Sequence, residues 1–430
     1  MDMTVSSRPP VVPPSMRHEV ERLVLKHDPG FSLVLFEDFA CALYAESQRA
    51  RHDPRALSGL APYWTKAQME SLQTRAPVGH PVRAVVVGGL TPEAAFEENG
   101  RICIECSFET NLHIQLDSGP SKPVEPPGAL SSLLVNAGLA TLPNQEPRAI
   151  TQYVNETWTF NRDMKVQTRP WTGVRKLGCP NCGAPSSPGG DARCGACGQV
   201  GDGRFDWQVS VVLVNAVEEK PHSFTGTSEE VGTSWPTKFS RTVSKDLDGL
   251  LGEDSALSPG SIEARLRLIF NTMQSAWAAQ DLRPLRPFVS DRQYDSFQYW
   301  IEAYKEQGLR NLMARPRLDN FRFARVGRDA HYDALTLRIW ASGCDYTVEA
   351  KSGRVVGGSR TTPRRYSEYW TLIRSARARG TPRLDQNCPG CGVPLALNMA
   401  GGCEHCGAHV TSGEFDWVLS KIEQDEAYRG

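Results

Sequence analysis

Residues 388–417 read CPGCGVPLALNMAGGCEHCGAHVTSGEFDW, and residues 179–207 read CPNCGAPSSPGGDARCGACGQVGDGRFDW. Each stretch holds two CxxC pairs with eleven residues between them, and each ends in Phe-Asp-Trp: Phe205-Asp206-Trp207 and Phe415-Asp416-Trp417. A CxxC turn curls both sulfurs toward one point. Glycine just after it takes φ > 0 without steric cost, and Gly183, Gly198, Gly392 and Gly407 stand there. Four thiolates at ~2.3 Å complete a tetrahedral zinc and leave no position for water or substrate. Cys179, Cys182, Cys194 and Cys197 are therefore expected to hold one structural Zn2+, and Cys388, Cys391, Cys403 and Cys406 a second. Disulfides, an iron site and unliganded thiols are the alternatives. A module this small gains its folding free energy from the metal rather than from apolar burial. A further CxxC, Cys103 and Cys106, lies in an alternating RICIECSF with nothing to partner it and reads as two buried thiols. His405 and His409 flank a complete quartet and read as surface residues.

The repetition extends upstream. Glu156, Trp158, Thr159 and Arg162 in NETWTFNRD correspond to Glu368, Trp370, Thr371 and Arg374 in SEYWTLIRS. Thr65-x-x-Gln68 and Ser290-x-x-Gln293 both read as capping-box helix starts. The offset is 225 at the caps, 212 at the tryptophans and 209 at the first cysteines, so copy one carries an insertion. Residues 118–147 have no counterpart and are the candidate. An internal repeat of this length sets the architecture first.

The second copy reads most clearly. Ser261 can cap a helix carrying Ile262, Leu266, Ile269 and Met273, and Ser290 opens a second helix ended by Gly308. Alternating stretches follow: FRFARV, ALTLRIW, DYTVEA and SEYWTLIRS. Copy one repeats this with helices at 31–50 and 65–75 and strands at 82–88, 101–116 and 153–168. Helices followed by a mostly antiparallel sheet give an α+β class. The expected architecture is two tandem open cones, each followed by a four-cysteine zinc ribbon. The boundaries are a disordered Pro-rich lead at 1–17, cone one at 18–174, ribbon one at 175–215, a linker at 216–258 that is partly helical near Lys245–Leu251, cone two at 259–384 and ribbon two at 385–430. Glu156, Trp158, Glu368 and Trp370 are expected in the cone interiors.

The chain has 430 residues and a formal net charge of −1, so no global field selects a partner. No apolar run reaches the ~20 residues that span a bilayer, and the Pro-rich opening lacks a leader pattern, which points to a cytoplasmic chain. Charge is unevenly placed. Residues 261–384 hold 22 Lys and Arg against 12 Asp and Glu, a net of +10, while residues 31–174 carry −3. Arg310, Arg315, Arg317, Arg322, Arg325, Arg364 and Arg365 are the candidate contacts to an acidic partner. Acidic residues of the linker, Glu253 and Asp254 among them, could instead lie against this copy.

ARLRLIFNTMQSAWAAQDLRPLRPFVSDRQYDSFQYWIEAYKEQGLRN, with the later YWTLIRS, resembles the C-terminal domain of the mitochondrial import-motor tether, the forty-four-kilodalton inner-membrane translocase subunit, and its bacterial relatives. The resemblance covers residues 261–420 and rests on Trp277 with Asp281, the Ser290 cap and Trp370. It implies a cystatin-like, nuclear-transport-factor-two-like cone, peripheral binding to acidic lipid and tethering of other proteins. The chain lacks the relative's transit and motor-binding regions and adds ribbons, so the import role does not carry over. The expected function is a non-catalytic scaffold with two structural zinc ions. Its expected partner is an unidentified protein, with peripheral contact to anionic membrane at its inner face and nucleic acid ranked behind. The alternative is a small-molecule enzyme or ligand-binding protein using a cone pocket, with His331, Asp333, Asp345 and Glu368 as candidates.

Overall fold

A computed structural model describes residues 16–116, 149–168, 207–220, 231–397 and 401–430. Unit one, residues 16–220, begins with α1 (Met16–Leu25), α2 (Leu33–Ala50), the short α3 (Pro54–Ser58), a 3₁₀ turn at Ala61–Tyr63 and α4 (Lys66–Gln73). Ser32 accepts the Leu35 N–H and so caps α2. Four strands follow: β1 (Val82–Glu98), β2 (Arg101–Gln115), β3 (Ala149–Asp163) and β4 (Gln208–Lys220). They pair antiparallel in the order β1-β2-β3-β4. β1 runs past the expected 82–88 to Glu98. Gly88, Gly89 and Pro92 weaken the strand signal there, and pairing with β2 overrides it.

Unit two, residues 231–430, has the same order. α5 (Val243–Glu253), α6 (Pro259–Ala279), a 3₁₀ turn at Arg283–Phe288 and α7 (Asp291–Glu306) precede β5 (Leu309–Arg328), β6 (Tyr332–Glu349), the short β7 (Val355–Gly358), β8 (Arg364–Ser375) and β9 (Val418–Gln424). The antiparallel sheet runs β5-β6-β8-β9, with β7 beside β6. The fold is thus mixed α+β with two antiparallel sheets. β1 and β5 are both edge strands, each broken by a register shift at a proline, Pro92 or Pro316, where a ladder N–H is dispensable. Before the last helix of each unit, Trp64 bridges Val209 and Val289 bridges Leu419 in parallel. The Thr65 N–H donates to Val209 O at 3.0 Å and the Ser290 N–H to Leu419 O at 2.9 Å.

Four expectations need correction. The cap of α6 is Ser258, which accepts the Ser261 N–H at 3.1 Å. Ser261 is the third helical residue and returns the bond through its hydroxyl to the Ser258 N–H at 2.9 Å. Thr65 makes no side-chain cap bond, because backbone pairing to β4 already orients that helix start. Residues 216–258 are not simply a linker. Residues 216–220 complete β4, and α5 packs Leu247, Leu250 and Leu251 into the core of unit two. Residues 231–238 cross the outer face of the second sheet, where the fully buried Arg338 guanidinium donates to Gly232 O at 2.9 Å and Trp235 O at 2.7 Å. Finally, the cones are not open. Phe36, Phe39, Tyr44, Trp64 and Leu57 of the helical layer close on Phe108, Trp158 and Phe160 of the first sheet. Ile262, Leu266, Ile269 and Phe270 close on Leu337, Trp370 and Leu372 of the second. Aromatic volume fills the concavity that a sheet with smaller inward residues would leave.

Candidate metal centre and binding surfaces

Residues 385–417 leave β8 and return as β9 through the second cysteine cluster. The Sγ atoms of Cys388, Cys391, Cys403 and Cys406 all lie within 4.8 Å of one another, and this group could hold a metal ion. Cys388 and Cys403 are buried, while Cys391 and Cys406 face out. Gly392 and Gly407 adopt φ of 76° and 74°, each N–H turning back to the carbonyl of the first cysteine of its pair at 2.8 Å. Burial opposes ionisation of Cys388, but the amides of Cys391 and Gly390 and the neighbouring thiols outweigh it and hold the thiol down at about 7. Four soft sulfur donors with no oxygen among them suit zinc. Cys179, Cys182, Cys194 and Cys197 lie outside the described residues.

The ribbon is bolted to its unit by the residues around Phe-Asp-Trp. Asp416 accepts the Arg383 N–H at 2.6 Å and pairs with the buried Arg265 at 3.5 Å. The Trp417 ring is fully buried under the Arg374 guanidinium at 4.7 Å, and Arg374 in turn pairs with Asp254 at 3.0 Å. Unit one repeats the arrangement: Arg162 sits 4.5 Å over Trp207 and pairs with Asp28 at 2.8 Å. Sequence reading names Asp254 only among the linker acids that could lie against the second copy, and does not name Asp28. The signal was there, since Asp28-x-x-x-Ser32 and Asp254-x-x-x-Ser258 recur with an offset of 226. His409 is not a surface residue as expected; only 12% of its side chain is exposed, and it sits 3.8 Å from Asp291, where Thr411 also bonds at 2.8 Å.

Trp158 and Trp370 are fully buried in the two cores. Each indole N–H donates to the glutamate two residues earlier, Trp158 to Glu156 at 2.7 Å and Trp370 to Glu368 at 2.9 Å. Burial raises the pKa of the Glu156 carboxyl against the pull of Arg75, with which it forms an ion pair. Burial likewise raises that of Glu368, whose other oxygen accepts from Gln424 at 3.0 Å. The remaining catalytic candidates do not converge. Asp333 and Asp345 stand twelve residues apart on β6, roughly 40 Å of strand. Asp333 faces Arg328 at 3.2 Å, Asp345 faces Arg364 at 3.0 Å, and His331 contacts Gly30 O at 3.1 Å. Cys103 and Cys106 are buried, and burial pushes the Cys103 thiol up to about 11.

Of the seven candidate arginines, four contact other groups of the fold, Arg315 while itself exposed. Arg310 donates to Ala278 O at 2.7 Å, Arg315 to Cys344 Sγ at 3.1 Å, Arg325 pairs with Glu21 of unit one at 2.9 Å, and Arg364 pairs with Asp345. Arg317, Arg322 and Arg365 are exposed. Arg317 and Arg365 flank Ser342 across three strands, so all three share one face. They line an open groove of about 790 Å³ together with Trp340 and Tyr366. The linker acids do reach this unit: Glu253 bonds Arg328 at 2.9 Å and Asp254 holds Arg374.

Residues 244–384 match the model of the Tim44-like domain family. The Tim44-like region thus runs from α5 to Leu384, and it contains Arg317, Arg322, Arg365 and Trp370. No curated protein matches the chain. Among solved structures, a protein titled "Ntf2 like protein involved in plasmid conjugation" aligns over 90% of this chain and 96% of its own at 7% identity, with a TM-score of 0.20. An overlap that loose carries no argument. Among the described residues, no helix is long and apolar enough to cross a membrane.

Proposed function

We propose that this chain is a non-catalytic scaffold built from a duplicated cone, each copy closed by a structural zinc ribbon, which docks on acidic protein or lipid surfaces through its second copy. The exposed Arg317–Ser342–Arg365 row carries this reading. Arg317 and Arg365 are exposed on one face, whereas Arg325 and Arg364 hold internal carboxylates. The match to the Tim44-like domain supports a membrane-associated or protein-binding role. The filled cone interiors and the dispersed acids favour a scaffold over an enzyme. Duplication is supported by the paired constellations Asp28–Arg162–Trp207 and Asp254–Arg374–Trp417.

Co-sedimentation with vesicles tests the surface. The full chain should pellet with vesicles containing acidic phospholipid and stay in solution with neutral ones. Arg317→Glu with Arg365→Glu should cut pelleting about tenfold or more, since each basic contact near an anionic surface is worth about 1 kcal/mol and reversal doubles the change. Equal pelleting of both vesicle types at low salt would contradict lipid docking and leave an acidic protein as the partner to seek by affinity purification.

A further inference from the structure

One partly open pocket belongs to neither cone. A cavity of about 260 Å³ lies between the two units, walled by α2 and β1 of unit one and by α7, Tyr332, Ile373 and the start of the 410–412 turn of unit two. At ~30 Å³ of liquid per water, it has room for on the order of eight waters, the size of a small metabolite. Seams between units are where such sites concentrate.

Two opposite charges face this cavity without an ion-pair partner. Arg292 and Asp295 both line it, one turn apart on α7. Among the described residues no carboxylate lies within 4 Å of the Arg292 guanidinium, no cation lies within 4 Å of the Asp295 carboxylate, and neither side chain makes a hydrogen bond. Glu37, Asp38 and Glu423 all act on Arg292; Glu37 is engaged with Arg17 at 2.9 Å and Glu423 with Lys421 at 3.0 Å, while Asp38 lines the same cavity. Asp291, on the same turn, is taken by Arg286 at 2.5 Å and Thr411 at 2.8 Å. Glu46 is closed off by Arg49 at 2.7 Å. Asp295 is exposed, and desolvation raises its carboxyl against the pull of Arg49. The rest of the wall mixes apolar Leu35, Val85, Val87 and Ile373 with the charged Asp38, Glu46 and Arg49.

We propose that this cavity binds a small zwitterion of the α-amino-acid class, with its carboxylate on Arg292, its ammonium on Asp295 and an aliphatic side chain against Leu35, Val85, Val87 and Ile373. A guanidinium accepts a carboxylate in two parallel hydrogen bonds, and an ammonium offers three donors to a carboxylate. One helical turn lets a single molecule carrying both charges meet both residues. Because the ligand would contact α2, β1 and α7 together, binding would fasten one unit to the other.

The test is calorimetric titration of the full chain with L-leucine and, beside it, N-acetyl-L-leucine, isoamylamine and glycine. These probes lack in turn the ammonium, the carboxylate and the aliphatic group. Leucine should bind saturably and raise the melting temperature. N-acetyl-L-leucine and isoamylamine should bind about tenfold more weakly or worse, as should leucine to Arg292→Gln and to Asp295→Asn, since each loses a charge-assisted contact worth about 1.5–3 kcal/mol. Glycine should bind about tenfold more weakly because it loses the buried aliphatic group, worth about 1.5–3 kcal/mol. Either variant that fails to fold is set aside, and the analogue series on the unaltered chain then decides. No saturable binding of leucine or any other aliphatic amino acid up to about 10 mM, weaker than any −3 kcal/mol interaction, would overturn the proposal. So would equal binding of leucine and isoamylamine, or an affinity unchanged in both folded variants.

Discussion

Arg374 shows how much of this fold is settled by single buried contacts. Its side chain is only 2% exposed, its guanidinium lies over Trp417, and its partner Asp254 comes from a helix end 120 residues earlier. Removing one member of a buried pair strands the other charge and costs about 3–5 kcal/mol. Arg374→Ala and Asp254→Ala should each destabilise unit two by that amount in urea unfolding. The double variant should cost clearly less than the two together, because the second removal strands nothing further. The cycle at Arg162 and Asp28 should behave alike, those side chains being 3% and 1% exposed. Additive losses at either site would mean that the matched geometry is coincidental. Arg162 and Arg374 were visible in the sequence as repeated letters, but their pairing to Asp28 and Asp254 was not, because a contact across 120 or more residues leaves no local trace.

At the scale of elements, the second ribbon is an extended β8–β9 connection rather than an appendage. Ser375 N donates to Gly413 O at 2.8 Å, Thr411 reaches Asp291 at the start of α7, and Asp416 and Trp417 tie its exit to α6 and β8. Loss of the metal should therefore propagate. Cys388→Ser is expected to release one zinc and to lower the melting temperature of unit two, since a structural zinc contributes its binding free energy to folding. Zinc release without any change in melting would show that the ribbon is not coupled to the sheet. The helices and strands that read well in the sequence, α6, α7, β6 and β8, have uniform periodicity and clear caps. The segments that read poorly were governed by packing. α5 reads as a helical piece of a linker, and it is the packing of Leu247, Leu250 and Leu251 against the core that makes it part of unit two. The surface arginines were overcounted for the related reason that composition does not tell a solvated guanidinium from one already holding an internal carbonyl or carboxylate, as Arg310 and Arg364 do.

The whole molecule joins its two units through a charged seam. Arg17 of α1 meets Glu37 at 2.9 Å and Glu423 of β9 at 3.6 Å, Lys421 donates to Leu90 O of β1 at 3.1 Å, and Arg325 meets Glu21. Buried pairs of this kind tolerate little displacement, since geometry decides whether attraction repays desolvation. The sequence pointed to two copies but carried no sign of this seam, nor of the cavity within it, because both arise from surfaces more than 200 residues apart. The cysteine quartets were its most legible feature, with spacing and following glycines sufficient to place four sulfurs of the second within 4.8 Å. The account's central claim is a duplicated scaffold with a metal-closed ribbon in each copy. Native mass spectrometry of the reduced, full-length chain tests it directly: two zinc ions per chain are expected, falling to one in Cys388→Ser and to one in Cys179→Ser, whereas a chain carrying no zinc, or losing none in either variant, would contradict it.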